Sequence, residues 1–469
     1  MQNFTYVDED TPVKDSLYAL IDNQATVASD FAGAMFPTTN LILNQTCFRT
    51  DEQKLYRLTA MAPDVWTLQA DLAAPQPINM ANLPVKRPSL LLDFVNGPKR
   101  LPGRVKFSRA STACYYDASG KLVMAEANEP RLDHDPATMA RLGLLIEESR
   151  TNLLLQSSDL SQAVWNKTNC TVVPAAMLGP DGAMSGSRID RTAAGNHNIG
   201  QTITRTAPGG YTFTFSVWLM GGTMSGAVKL VIKDGADGNI GSSPDIALPA
   251  PGVWKRVFFT YKMPAGAANN VKFIVDPVND AGSAGDYFYL FGAQGEQGTT
   301  MSSYIPTTAA AATRAADDAY VEAGAWTAAS EGSVYCEGQC VADTSTQPML
   351  WTLRATASNF VQMWATAVTQ LVGFQCLYGA LFQCSFSTPS SSASPVRAAF
   401  GWASNSFVGV VNGQPPVNDN LGTVPSFSST SELWLGRDVS NSRYLNGYLR
   451  VLRYFPKRLT DAELQALTT

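Results

Sequence analysis

The feature that most constrains this chain is a period of two. Tyr211-Thr-Phe-Thr-Phe-Ser-Val-Trp218 alternates apolar with hydroxylated residues. In an extended strand successive side chains point to opposite faces, so such a segment reads as a strand with one buried face. Val228 to Lys233, Trp254 to Tyr261, Val271 to Val275 and Tyr287 to Phe291 repeat the theme. They are punctuated by Gly and Pro, and no convincing helix interrupts them between residues 156 and 306. Short strands at regular spacing predict a two-sheet sandwich or jelly roll.

A second run of short strands begins at Gly332 and continues to the end. Phe407-Val-Gly-Val-Val411 leads into Asn412-Gly413, a dipeptide that accepts positive φ at both turn positions and predicts a hairpin. Leu433-Trp-Leu435 and Tyr448 to Tyr454 fit adjacent sandwich strands. At the end, Thr460 and Glu463 form a capping box and Leu459 with Leu464 a hydrophobic staple, so one short helix closes the chain. Further upstream, Val105 to Phe107, Ala113 to Tyr116, Asp117 to Gly120 and Leu122 to Met124 read as strand, strand, turn, strand. Near the N-terminus lie a polar, helix-compatible stretch at Ser16 to Ala28 and strand-like pieces at Leu41 to Arg49 and Lys54 to Leu58. These two pieces are joined by the polar turn Asp51 to Gln53, and the Pro-, Ala- and Asn-rich run Ala73 to Pro88 reads as a linker. The expected fold is therefore mainly β: an N-terminal anchoring segment and linker (1–85), a connector (86–155), a β-sandwich (156–310) and a jelly roll (311–469) ending in one short helix.

With 469 residues, two or three cores are the starting expectation. Charged residues make up only 16%, well below the quarter usual in soluble proteins. The surface must then be dressed in Ser, Thr, Asn, Gln and Gly, which suits an extracellular β-protein that meets sugar hydroxyls. A net charge of −5 gives no electrostatic footprint for nucleic acid or an anionic membrane. The start, MQNFTYVDEDTPVKDS, lacks the basic and apolar regions of a secretory signal, and no apolar run approaches membrane-spanning length. Synthesis in a reducing cytoplasm followed by assembly into a virion released by lysis satisfies both conditions.

Three groups of residues carry a resemblance. Ala32 to Leu41, with Cys47-Phe-Arg-Thr-Asp51 and Leu55-Tyr-Arg-Leu58, resembles the N-terminal region of bacteriophage tail-fibre and related virion proteins. Phe107-Ser-Arg-Ala-Ser111, Asp117 to Gly120, Ala127-Asn-Glu-Pro-Arg131, Asp133-His-Asp-Pro136, Gly143-Leu-Leu-Ile-Glu147 and Arg150-Thr-Asn-Leu153 resemble a connector of phage structural proteins that precedes a carbohydrate-binding-like sandwich. Gly285 to Gln294, Ser303 to Thr308 and Thr313-Arg-Ala-Ala-Asp317 fit the same context. Leu433-Trp-Leu-Gly-Arg437, Leu445-Asn-Gly-Tyr448 and the final helix resemble the laminin-G and concanavalin-like jelly rolls, which are often glycan-binding. The resemblance implies a structural fibre or spike of a tailed phage that attaches to host-surface glycans, joined to other virion proteins by its N-terminal segment. Calcium accompanies some laminin-G-like modules, so a structural calcium is the only metal implied, with no other cofactor.

The chemistry of the residues agrees with a non-enzymatic part. His134 and His197 are the only histidines, and a Ser-His-Asp triad would have to use one of them. Asp133-His-Asp-Pro136 reads as a turn and His197, between two Asn, as a loop residue. A glycan hydrolase needs only two carboxylates, so a host-polysaccharide depolymerase is the enzymatic alternative, but no short repeated rungs of a parallel β-helix are present. A head or collar fibre with loose glycan binding is the structural alternative. Cys336 with Cys340 and Cys376 with Cys384 invite a four-thiolate zinc site, yet their even spacing on strands also suits buried small apolar residues, and the two-residue spacers of zinc knuckles are absent. Sugar platforms are sought among the nine tryptophans. Trp218, Trp254 and Trp434 lie inside strand patterns and read as packing residues, while Trp165 and Trp402, with Asn405, sit in polar segments and are the candidate ligand contacts. A hairpin this poor in apolar residues is marginal alone; a homotrimer pooling three N-terminal segments would supply the missing core and align three sugar-binding surfaces.

Overall fold

The computed structural model describes residues 32–33, 36, 46–49, 54–61, 63–71 and 87–469, apart from 99, 279–281, 342–346, 367–368 and 391–394. The expected helical stretch at Ser16 to Ala28, the turn at Asp51 to Gln53 and most of the linker lie outside the described residues. The chain divides into two compact units, Met1–Lys86 and Arg87–Thr469.

In the first unit Thr46–Arg49 pairs antiparallel with Lys54–Met61, the hairpin read from the sequence. Asp64–Asp71 adds a further antiparallel strand, and Ala32–Gly33 pairs parallel on the other edge. Cys47 and Leu58 are fully buried. Phe36 stacks on Trp66 with ring centroids 5.1 Å apart and meets Tyr56 edge-on at 4.9 Å. The third hairpin strand and these rings give the segment a small apolar focus.

The second unit is mainly β, and its connectivity differs from four segments in series. Residues 86–155 do not merely connect. Leu90–Asp93, Leu132–His134 and Arg141–Ile146 join an eight-stranded sheet with Gly447–Phe455, Gly332–Cys340, Val396–Ala403, Ser406–Val411 and Val417–Asp419. Val105–Ser108 joins the facing seven-stranded sheet by pairing with Asp318–Glu322. The jelly roll is thus built from residues on both sides of residues 156–310, because strand pairing joins segments with no regard for their distance in sequence. Its core includes Leu92, Ile146, Trp351, Phe400, Trp402 and Leu452, all buried.

The sandwich is an insertion held by a neck. Arg150–Asn152 and Ala312–Arg314 form a two-stranded antiparallel ladder, Thr151 opposite Thr313. Between them, one sheet runs Asn166–Thr168, Asn198–Ile203, Val271–Pro277, Ala227–Asp234, Ile240–Ser242, and the other Cys170–Leu178, Met184–Arg191, Tyr287–Gln297, Thr212–Gly221, Lys255–Lys262. The period of two in Thr212–Gly221 is realised: Phe213, Phe215, Val217 and Leu219 point into a separate core with Phe273 and Leu290. The other face, carrying Thr214, Ser216 and Trp218, is buried as well.

Asn412 and Gly413 both have positive φ, 47° and 69°, and Gln414 N–H donates to the Val411 carbonyl, as a tight turn requires. Leu433 to Leu435 and Tyr448 to Tyr454 are not neighbours in one sheet; Glu432–Leu435 lies in the seven-stranded sheet and Gly447–Phe455 in the eight-stranded one. The Arg437 to Tyr444 bridge and the turn within it carry the chain across from one sheet to the other. The terminal helix Asp461–Thr468 has the complete Thr460/Glu463 capping box, and Leu459 and Leu464 pack with Ala399, Val408 and Val410. Cys336, Cys376 and Cys384 are buried in the jelly-roll core, Cys340 packs against that core, and none of the seven cysteines is in a disulfide.

Candidate functional site

The neck is fastened by charge. Arg109 Nη1 donates to Asp317 Oδ1 at 3.0 Å, and Arg131 reaches both Asp317 Oδ2 (2.6 Å) and Glu147 Oε2 (2.8 Å). Arg314 Nε lies 3.6 Å from Glu147 Oε2. All five side chains are buried. A buried carboxylate is tolerated only when paired and hydrogen-bonded. Burial opposes ionisation of Glu147, but the Arg314 and Arg131 guanidiniums and the Ser303 hydrogen bonds outweigh it and hold the carboxyl well below its ordinary range. These residues are among the charged positions of the quoted connector-like stretches. Asn152 completes the neck: buried, it donates to the Ala293 and Ile305 carbonyls and accepts from Leu154 and Gly295 N–H.

Beside the neck, the outward face of the five-stranded sheet meets the hairpin formed by Ala113–Tyr116 and Leu122–Ala125. Its turn forms as the sequence suggests: Asp117 Oδ1 accepts from Ser119 N, Ser119 Oγ and Lys121 N, and Gly120 takes φ 74°. The hairpin lies on an aromatic floor. Trp218 Nε1 donates to the Tyr116 hydroxyl at 3.0 Å, and Trp218 packs on Phe291 and Tyr304 with centroids 5.5 and 5.3 Å away. Gly292 permits this approach, since its φ is 62° and a Cβ there would sit 2.7 Å from the Trp218 ring. The floor residues Cys114, Leu122, Trp218, Phe291 and Tyr304 form their own small core, and burial pushes the Cys114 thiol up to about 11.

Above this floor opens a cleft of about 1060 Å³ between the inserted sandwich and the jelly roll. Tyr115, Tyr116, Trp254 and Tyr448 are half-buried in its walls. Trp254 is fixed by an Nε1–H bond to the Leu178 carbonyl at 2.8 Å. Asp133 Oδ1 accepts from Tyr116 N and His134 N, and its Oδ2 accepts from the Tyr448 hydroxyl at 2.9 Å. Burial raises the Asp133 carboxyl above its ordinary value despite those bonds. His134 Nδ1 lies 3.1 Å from the Tyr116 carbonyl oxygen, so Nδ1 carries the proton. Lys121, Lys255 and Arg256 supply cationic groups along the walls, and Ser302, Ser303 and Asn446 neutral polar ones.

The cleft brings together residues that sequence reasoning placed elsewhere. Trp254, read as packing, is a wall residue, and His134, read as a turn, ends the strand Leu132–His134. His197 is a loop residue as expected, but buried. Trp165 and Trp402 are not exposed platforms. Trp165 is 2% exposed in the sandwich core, its Nε1 donating to the Gln156 carbonyl, and Trp402 is 0% exposed in the jelly-roll core. The alternation around Trp402, in Val396–Ala403, already places it on the inward face with Ala398 and Phe400. Asn405 is exposed at a two-residue hairpin turn with φ 57°, and its side chain accepts from Gly422 N–H. Trp165 lies in the sandwich core, whereas Trp402 and Asn405 share one jelly-roll hairpin, the first facing inward and the second at its exposed turn. The one local signal for the cleft was the Asp117 to Gly120 turn; the rest is assembled by the insertion.

No family model and no curated protein matches this chain. Among solved structures, a bacteriophage CBA120 tailspike protein 4 enzymatically active domain is 15% identical, over 31% of this chain and 21% of that one, with a TM-score of 0.24. The CBM22-1 xylan-binding domain from Paenibacillus barcinonensis Xyn10C is 10% identical over 32% of this chain and 97% of its own, with a TM-score of 0.25. Domains LG4-5 of the mouse laminin α1 chain are 11% identical over 66% and 89%, with a TM-score of 0.21.

Proposed function

We propose that this chain is a non-enzymatic fibre or spike of a tailed-bacteriophage virion and that the cleft beside the neck seats a host-surface glycan. The observation that carries the reading is the cleft itself: half-buried Trp254, Tyr115, Tyr116 and Tyr448 beside fixed hydrogen-bonding groups. Flat rings stack on the apolar faces of pyranoses while polar groups meet the hydroxyls, and a largely preformed, mixed apolar and polar cleft of this size suits an oligosaccharide. The tail-fibre-like residues of the N-terminal segment and the phage connector stretches support the virion assignment. A homotrimer would multiply a weak single-site affinity.

The carboxylates of the cleft support binding over catalysis. Glu147 is consumed by Arg131, Arg314 and Ser303, and Asp133 by Tyr448 and two backbone N–H groups. A hydrolase would need two carboxyl groups free to move protons or attack. The test is to measure binding of the purified chain to host-surface polysaccharide and to assay the same mixture for new reducing ends. Binding without product is expected, with affinity falling roughly tenfold, about 1.4 kcal/mol, in Trp254→Ala. Product that disappears in Asp133→Asn would establish the depolymerase alternative instead. Imaging labelled particles separates tail from head or collar.

A further inference from the structure

Although the chain carries net charge −5, the cleft concentrates unpaired cations. Arg256 stands directly opposite Trp218 in the strand register, its guanidinium 4.5 Å from the indole centroid. Nη1 donates to the Ser302 carbonyl at 2.8 Å and Nη2 to Ser216 Oγ at 3.0 Å, while Nε is shielded from solvent with no acceptor. Only two of its five N–H donors are used. Every other arginine around the neck has a carboxylate partner: Arg109 has Asp317, Arg131 and Arg314 have Glu147, and Arg150 has Glu148. Among the described residues none lies within 4.0 Å of Arg256, and Lys121 and Lys255 on the same cleft are likewise without an ion pair. The acidic groups that share the walls are committed. Glu147 is paired with Arg131 and Arg314, Asp133 holds Tyr448, and Asp135 Oδ1 accepts from Ala137 and Thr138 N–H.

We infer that the cleft selects acidic glycans, a saccharide carboxylate pairing with Arg256 while Lys121 and Lys255 attract the anionic chain. This rests on the glycan-binding reading of the same cleft and names its ligand class. A half-buried guanidinium on an indole face is weakly hydrated and presents a planar fork matched to carboxylate. Within the chain its charge is compensated by buried Glu296, which makes no direct ion pair with it and is hydrogen-bonded by Gln294 and Ser302, so a ligand carboxylate in contact would supply the direct pairing that the fold leaves unmade. A neutral glycan of the same shape would keep the stacking and lose this gain.

The experiment is calorimetric titration of the full chain with four ligands: an oligogalacturonate, an oligomer of sialic acid, and the carboxyl-reduced form of each. At least one acidic ligand should bind roughly tenfold or more tightly than its reduced form, with affinity falling as NaCl rises; which one does so distinguishes a uronate from a sialate. Arg256→Gln should remove that preference, so that within this variant the acidic ligand and its reduced form bind alike. Because that variant touches a packed face, the exposed pair Lys121→Ala/Lys255→Ala serves as a second arm and should lower the ratio of acidic to reduced affinity. Equal binding of acidic and reduced forms overturns the inference and leaves the glycan reading standing. Binding of none of the four overturns the inference, and host polysaccharide added to the same preparation then decides the glycan reading separately.

Discussion

Glu147 shows how a residue can be visible in a motif and opaque in role. Gly143-Leu-Leu-Ile-Glu147 is one of the connector-like stretches, and its carboxylate is the meeting point of Arg131, Arg314 and Ser303. Replacing it by Gln leaves two buried guanidiniums undercompensated, at an expected cost of about 3–5 kcal/mol. Its folded pKa lies below the ordinary 4.5. Its contribution is therefore present above that value and is lost as pH falls through it toward the folded pKa. Denaturant unfolding of wild type and Glu147→Gln between about pH 7 and 3 should show the gap narrowing in acid; a constant gap would mean that the carboxylate's charge is not what stabilises. Trp402 teaches the opposite lesson. Neighbouring Asn and Ser residues suggested an exposed loop, but a strand's alternation decides which face a side chain takes, and Trp402 takes the inner one.

Elements whose signals are local were legible. The terminal helix was, because capping box and staple are satisfied within the six residues 459–464, and Thr460 Oγ1 does accept from Glu463 N. Thr460→Ala should cost about 1 kcal/mol in unfolding free energy, with Thr460→Ser restoring most of it; an unchanged stability would mean that the helix is held by Leu459 and Leu464 alone. The Asn412-Gly413 and Asp117 to Gly120 turns were legible for the same reason, since φ and side-chain acceptors are set by the residues themselves. Arg150–Asn152 and Ala312–Arg314 were not. Each is three residues long, and nothing in either announces the partner some 160 positions away.

At the scale of the molecule the insertion makes distinct demands on fragments. Residues 150–315 contain both sheets of the sandwich, its core and the paired neck, so this fragment should fold alone with a cooperative melt. Residues 311–469 lack the four strands from 90–146 that complete the jelly roll, and should be insoluble or show no cooperative transition. A well-folded 311–469 would show those strands to be dispensable. Deleting residues 1–86 removes one compact unit and leaves the other whole. The truncated chain should stay folded and keep its glycan affinity but fail to incorporate into particles, and normal incorporation would refute the anchoring assignment.

The sequence by itself determined that this chain is mainly β, where most strands and turns lie, and which face of Thr212–Gly221 is packed with phenylalanines, because alternation, turn chemistry and capping act within a few residues. Tertiary structure alone decided that residues 90–146 belong to the jelly roll, that the sandwich hangs from a charged neck, and that Trp218, Arg256, Asp133 and Tyr448 surround one cleft. Strand pairing joins backbone groups that are identical at every residue, so a strand carries little record of its partner, and a cleft made where an inserted domain meets its host has no continuous stretch of chain in which to be written.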